Sequence, residues 1–431
     1  MYAVQKQLFP DQKTDTAKKH RSGTFVDNMK LPVHRWFRYS AGFSAEWVNA
    51  LIIEIKEDKS DLLVFDPFAG SGTTLLAADY VDVKSIGIEA HPFVSKITHA
   101  KLSWSESLQN FSTKRDVILN DANEMTPESL NYPDLIHKCF NKDTLTKLDR
   151  LKRAWIKNND ESPSSSLSWL ALTAVLRSTS SAGTAQWQYI LPNKKKKVTS
   201  EPFEAFRNQI GLMIADMRLF QKFSKKNLGR LFQGDARKCP DVPDNCADLV
   251  ITSPPYANNY DYADATRFEM SFWGEIQNWG DLHQAVRQYL IRSSSQHASK
   301  EKLILEEILQ KNILKPIYNE ISEVCHELAK ERLLHGGKKH YHTMIAAYFY
   351  DMAKIWYEIK RICKNDAKLC FVIGDSAPYG VYVPVEKWLG KLAIAAGFKS
   401  YYFEKLRDRN IKWKNRKHRV PLHEGRLWID T

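Results

Sequence analysis

Short unbroken apolar runs alternate along the chain with longer stretches in which apolar residues recur every three or four positions. The first kind suits a strand buried on both faces, the second a helix with one face in a core. "DLLVF" (61–65) and "SIGI" (Ser85 to Ile88) read as strands, with a helical "LLAADY" between them and Glu89 closing the second strand. Upstream, Ser44 is placed to cap a helix from Ala45 to Ile55 that carries Trp47, Leu51 and Ile52 on one face. "DVILN", Asp116 to Asn120, is expected to be a third strand.

From about Leu135 the pattern turns helical in "DTLTKLDRLKRAWIK", "LSWLALTAVLRSTS" and "PFEAFRNQIGLMIADMRLFQKF". Between the last two lies "SSAGTAQWQYILPNKKKKVTSEP", read as a loop with a lysine run. Strand and helix patterns then alternate again. "ADLVIT" is a strand, "ISEVCHELAKERLLHGG" and "TMIAAYFYDMAKIWYEIKRICK" are helices, and "KLCFVIGDS" is a strand. A helix from Pro384 and a late strand "KSYYFEKL" follow. This alternation implies an α/β fold, a doubly wound and mostly parallel sheet with a largely helical insertion. The expected divisions are a flexible basic N-terminus (1–30), a first half of the α/β domain (31–134), a helical insertion (135–232) and a second half (233–431) with a further helical insertion near 275–340.

Charge narrows the class of partner. A net charge of +13 favours a polyanion, nucleic acid before an anionic membrane. No apolar run reaches spanning length and the N-terminus has no signal core, so no membrane role is expected. The six cysteines show no C-x-x-C spacing, which points away from zinc ribbons and disulfide frameworks and toward a reducing cytoplasm. His340 and His342 have no partners at metal-ligand spacing, and no metal is expected.

Two loops carry the candidate chemistry. "FDPFAGSGTT" puts Gly70 and Gly72 between a strand and a helix, where backbone N–H groups can approach a ligand. Gly-Lys-Ser/Thr is absent and Leu75 replaces the third glycine of a dinucleotide fingerprint, so neither phosphate loop fits. Glu89, at the end of the next strand, can accept hydrogen bonds from both hydroxyls of a ribose. The second loop is "VITSPPYANNYDY" (250–262). Pro254 and Pro255 cannot donate to a ladder, so the strand stops before them and leaves a rigid corner. Both loops follow strands of one sheet, at the edge where α/β proteins bind ligands. An exocyclic amino nitrogen shares its lone pair with its ring. If the Ser253 hydroxyl and the Pro254 carbonyl accept its N–H bonds, that lone pair is freed for attack on a methyl group, by orientation and preorganised dipoles alone. Tyr256 can stack on a base taken out of its helix.

These residues resemble the DNA amino-methyltransferases, which move a methyl group from S-adenosylmethionine to adenine N6 or cytosine N4. The family's F-x-G-x-G matches Phe68, Gly70 and Gly72, and its D/N/S-P-P-Y/F/W matches Ser253, Pro254, Pro255 and Tyr256. The resemblance implies a Rossmann-like fold, and a cofactor held by Asp66, Pro67, Phe68, Ala69, Gly70, Gly72, Thr73 and Thr74 of the loop, by Glu89 on the ribose, and by Asp235 and Ala236 at the adenine. Asp121 in "NDANEM" competes with Asp235 for the adenine. Tyr39, Ala41 and Phe43 in "HRWFRYSAGF" resemble the segment that closes the methionine pocket. A serine in the first motif position favours cytosine N4 over adenine N6, and an RNA base remains an alternative substrate. No P-C-Q-type cysteine is present for attack at cytosine C5.

The resemblance further implies double-stranded DNA as partner, a cognate restriction endonuclease, and a prokaryotic cytoplasmic, nucleoid-associated location. Three regions compete to read DNA: the 135–232 stretch with Lys194 to Lys197, the 275–340 stretch, and "LRDRNIKWKNRKHR" near the C-terminus. In the last, Arg407, Arg409, Lys412, Lys414, Arg416, Lys417 and Arg419 around Trp413 are expected to hold phosphates, a contact that gives affinity rather than sequence choice. Asp375 in "FVIGDS" ends a strand on the same edge, either in the target-base pocket or as a strand-end cap.

Overall fold

The structure, a computed structural model, describes residues 25–40, 42–59, 61–185, 188–224, 226–257, 260–300, 302–409 and 420–431. One sheet of seven strands has the order β5-β2-β1-β6-β7-β9-β8. Its strands are β1 (Leu63–Asp66), β2 (Lys84–Glu89), β5 (Gly229–Gln233), β6 (Ala247–Thr252), β7 (Cys363–Gly374), β8 (Ser400–Arg409) and β9 (Leu422–Asp430). The pairs β1–β2, β1–β6, β2–β5 and β6–β7 are parallel, and β9 is antiparallel to both neighbours. The strand order reverses beside β1, which opens a crevice at the strand ends. Register sets the site: Phe65 lies opposite Val250, so the loop after β1 and the corner after β6 emerge side by side.

The expected helices form with the expected faces. Ser44 accepts the Trp47 N–H and caps Ala45–Asp58, which buries Val48, Leu51 and Ile52. The helix Tyr341–Ile362 buries Ile345, Tyr348, Phe349, Met352, Ile355, Trp356 and Ile359 against the sheet. Among the described residues, no helix is long and apolar enough to cross a membrane.

Three sequence expectations change. "DVILN" is not a strand but part of the helix Leu108–Glu124. Ser107 caps that helix, and Phe111, Ile118, Leu119 and Ala122 share its buried face, so the helical period outweighs a short β-branched run. The loop with the lysine run is a hairpin of β3 (Ala182–Thr184) and β4 (Ile190–Lys195). Two further strands, β5 and β9, lie in stretches that carry no plain strand signal.

The stretch 135–232 shares its apolar face with the α/β core. One cluster runs from Val33 and Trp36 through Phe93 to Leu148, Trp169, Met213 and Phe268. A buried carboxylate, Asp216 on the helix Pro202–Phe223, pins the N-terminal segment to it. It accepts from Arg35 Nε at 3.0 Å, Trp36 Nε1 at 3.0 Å and Val33 N at 3.3 Å.

Candidate active site

The glycine loop is built by hydrogen bonds that turn the chain sharply at the end of β1. Ala69 N donates to Ile88 O, and Gly72 N donates to Ala69 O. Gly72, with φ of +84°, caps the helix Thr73–Tyr80, and a Cβ there would stand 2.8 Å from Thr98 Cγ2. That approach and that φ leave no room for a side chain. The Glu89 carboxylate accepts from Gly70 N at 2.7 Å and from His91 N at 2.7 Å. Burial raises Glu89 from 4.5 to about 7, although those N–H groups pull it back.

Asp66 and Thr74 do not line the cavity at the sheet edge. Thr252 Oγ1 donates to Asp66 Oδ1 at 2.5 Å, and Phe68 N donates to the same oxygen at 3.0 Å. Thr74 Oγ1 donates to Ile251 O. Both side chains thus tie the glycine loop to the end of β6. Burial pushes Asp66 up to about 6, with the Thr252 hydroxyl and the Phe68 N–H acting against it.

At the corner, the register that sets Thr252 opposite Phe371 brings Ser253 to β7. The Ser253 hydroxyl donates its proton to Val372 O at 3.1 Å. Its oxygen therefore faces any further partner as an acceptor. Burial keeps the Tyr256 phenol well above its ordinary value, so it stays neutral. Arg409 Cζ lies 5.4 Å from the Tyr256 ring centroid, and Arg409 Nη1 donates to Asp375 O at 2.9 Å. Gly374 permits this: a Cβ there would fall 2.5 Å from Arg409 Nη1 and 3.2 Å from Tyr256 Cε2.

Both loops open into one cavity of about 500 Å³. Of the residues singled out in the sequence, it is lined by Tyr39, Phe43, Pro67, Phe68, Ala69, Gly70, Thr73, Glu89, Asp235, Ala236, Ser253, Pro255, Tyr256, Arg407 and Arg409. Gly72 and Pro254 lie in the two loops without lining it. Ala41, Lys412, Trp413, Lys414, Arg416, Lys417 and Arg419 fall outside the described residues. Asp121 is elsewhere, held on its helix by Lys157 and Asn158. Arg409, expected on a phosphate, stands in the cavity wall beside Tyr256. Asp375 is buried outside the lining, bonded to Tyr382 and His423, and with Glu386 and His423 it forms a compact group of ligand-type atoms.

Sequence reasoning missed several lining residues. Tyr260 and Tyr262 stand in "YANNYDY" as aromatics just past the corner, Arg407 belongs to the basic C-terminal cluster, and Tyr289 and Glu424 carry no local signal. A second layer fixes Asp235. Arg237 Nε bonds both Asp235 oxygens at 2.9 Å, and Arg237 Nη1 donates to Asp351 Oδ1 at 3.1 Å.

The donor set suits a nucleoside with a cationic tail. Glu89 and Asp235 present carboxylates, Tyr39, Phe43 and Phe68 present rings, and the glycine loop presents bare backbone.

A family model described as DNA methylase, of the N6/N4 type, matches residues 4–100, a span that contains the glycine loop and Glu89. The chain is 27% identical over 429 residues to the Type II methyltransferase M.BsoBI of Geobacillus stearothermophilus, covering 90% of this chain and 82% of that protein. It is 28% identical over 406 residues to the Type II methyltransferase M.AvaI of Nostoc sp., covering 87% of this chain and 81% of that protein. The M.AvaI of Anabaena variabilis gives the same figures. These matches make the chain similar to N6/N4-type DNA methylases in its first hundred residues and to Type II methyltransferases over most of its length.

Proposed function

We propose that this chain transfers a methyl group from S-adenosylmethionine to the exocyclic N4 of a flipped cytosine in double-stranded DNA, beside a cognate endonuclease in restriction-modification. The observation that carries this reading is the single cavity shared by the glycine loop with Glu89 and the corner at Ser253. The relatives' description as Type II methyltransferases supports the DNA substrate and the site specificity. The serine of the corner motif favours cytosine.

S-adenosylmethionine supplies an electrophilic methyl group on a sulfonium. Glu89 holds the ribose, Asp235 with Ala236 meets the adenine, and Tyr39 and Phe43 enclose the methionine end. Ser253 Oγ, its own proton engaged by Val372 O, accepts one N–H of the target amine. The Pro254 carbonyl accepts the other. Two acceptors pull the nitrogen toward a tetrahedral shape and localise its lone pair for in-line attack. Tyr256 stacks on the base and keeps water away. Neither acceptor takes the proton that the nitrogen sheds, which leaves to solvent.

The direct test is expression in a host without DNA methylation, followed by mass spectrometry of digested DNA and long-read mapping. N4-methylcytosine at one sequence is expected. N6-methyladenine would overturn the choice of base. Unmodified DNA with turnover on RNA would overturn the substrate class.

Glu89 adds a pH dependence. Its carboxyl is protonated below about 7 in the folded protein, and ribose hydroxyls bond best to the ionised form. Cofactor affinity is expected to rise up to about tenfold per pH unit toward 7 and to level off above it. The sign for stability is opposite. Glu89's contribution to the cofactor-free fold is present below its ordinary 4.5 and is lost as pH rises through about 7. Calorimetric titration from pH 5.5 to 8.5 measures the affinity slope, and Glu89→Gln should both weaken binding and flatten it.

A further inference from the structure

Gln188 and Tyr189, just before β4, pack behind the cavity wall and belong to a part of the chain that the proposed chemistry leaves unused. Gln188 is 3% exposed. Its side-chain amide bridges the two residues that flank Tyr39: Ser40 N donates to Oε1 at 2.6 Å, and Nε2 donates to Arg38 O. With the acceptor on an N–H and the donor on a carbonyl, the amide fits in one orientation only. Tyr39, held between those residues, packs on the glycine loop, its ring 3.6 Å from the position a Cβ of Gly70 would take.

Gln188 is itself fixed. Arg177 Nη1 donates to Gln188 O at 2.7 Å, and the same guanidinium forms a bidentate pair with Glu269, whose side chain is fully buried. The next residue points the other way. The Tyr189 hydroxyl accepts the Asp261 N–H at 3.0 Å, and its ring lies 5.6 Å from that of Tyr260, a lining residue just past the corner.

We propose that Gln188 is a positioning residue for the cofactor end of the cavity: it holds the Arg38–Ser40 backbone so that Tyr39 closes on Gly70. The hairpin thereby sets the grip on the cofactor's amino-acid end while Tyr189 steadies the wall at the target end. The probe, S-adenosylmethionine, rests on the proposed function; the positioning geometry does not.

The test compares Gln188→Ala and Gln188→Glu in the full chain. The glutamate keeps the size but loses the donor and sets a charge against the Arg38 carbonyl. Each is expected to raise Kd and KM for S-adenosylmethionine about tenfold, the worth of one to two hydrogen bonds. At saturating cofactor, kcat on unmethylated genomic DNA should stay within about twofold, because the reacting groups are untouched. Adding Tyr39→Ala to either variant should weaken binding little further, since both act through one contact. An unchanged Kd in both variants would overturn the proposal, as would full additivity with Tyr39→Ala. A fall in kcat and melting temperature at constant KM would show a purely structural role and overturn it too. Should Gln188→Ala not fold, the near-isosteric Gln188→Glu carries the comparison. Failure of the unaltered protein to bind S-adenosylmethionine would instead count against the proposed function.

Discussion

Ser253→Ala is expected to lower kcat about 10²–10³-fold, the usual cost of removing one preorganised polar group from a reacting centre. Affinity for S-adenosylmethionine should stay within about twofold, because in the proposed function the hydroxyl meets the amine and not the cofactor. Val372 O holds the Ser253 proton, so the hydroxyl rotor is already set and its oxygen needs no reorganisation as the amine arrives. Alanine removes that acceptor and leaves the Pro254 carbonyl alone to localise the lone pair. Transfer of a labelled methyl group to unmethylated DNA gives kcat, and calorimetry gives the cofactor affinity. Full activity in the variant would remove the proposed role for the hydroxyl.

The second large effect lies behind the cavity. Asp351→Ala should destabilise the fold by about 3–5 kcal/mol, the cost of stripping a buried ion pair of one partner. The Asp351 side chain is fully buried on the helix Tyr341–Ile362 and accepts from Arg292 Nε at 2.8 Å, Arg292 N at 3.1 Å and Arg237 Nη1 at 3.1 Å. Burial pushes its carboxyl up, but Arg292 and Arg237 outweigh that and hold it below its ordinary value. Its stabilising contribution is thus present above the ordinary value and is lost as pH falls through the folded one. Alanine would take the shared carboxylate from two guanidinium groups and loosen Arg237, which otherwise orients Asp235. Urea denaturation should show the lower midpoint, and cofactor affinity should fall with it. A midpoint unchanged from that of the parent would contradict the argument.

How much was legible depended on how local each signal was. β1 and β6 are central strands buried on both faces, so unbroken apolar runs announced them. β5 is a five-residue edge strand, and β9 carries Glu424 and Arg426 inward, where an apolar pattern would have been looked for. "DVILN" misled because three apolar, strand-like residues sit within seventeen helical ones. In the site, Glu89 and the Ser253 corner belong to compact motifs that local spacing displays, and both line the cavity. Tyr289, Glu424 and the cavity position of Arg409 arise from sheet order and chain reversal, which no local spacing encodes. Asp66 and Thr74, expected at the cofactor, lie outside the cavity lining, and their polar atoms hold β1 to β6.

That inter-strand link has a consequence for exchanging parts between relatives. Asp66 and Thr252 join the two loops directly, so the span between the glycine loop and the Ser253 corner belongs to the sheet. A chimera that replaced only the exposed lysines of β4 would leave that span and the cofactor grip alone. One that imported a whole foreign 135–232 stretch would also lose Asp216 beneath the N-terminal segment and Gln188 beside Tyr39. Cut points that exchange the hairpin's lysines and keep both contacts therefore fall inside the hairpin, beyond its tip, rather than at the ends of the helical stretch.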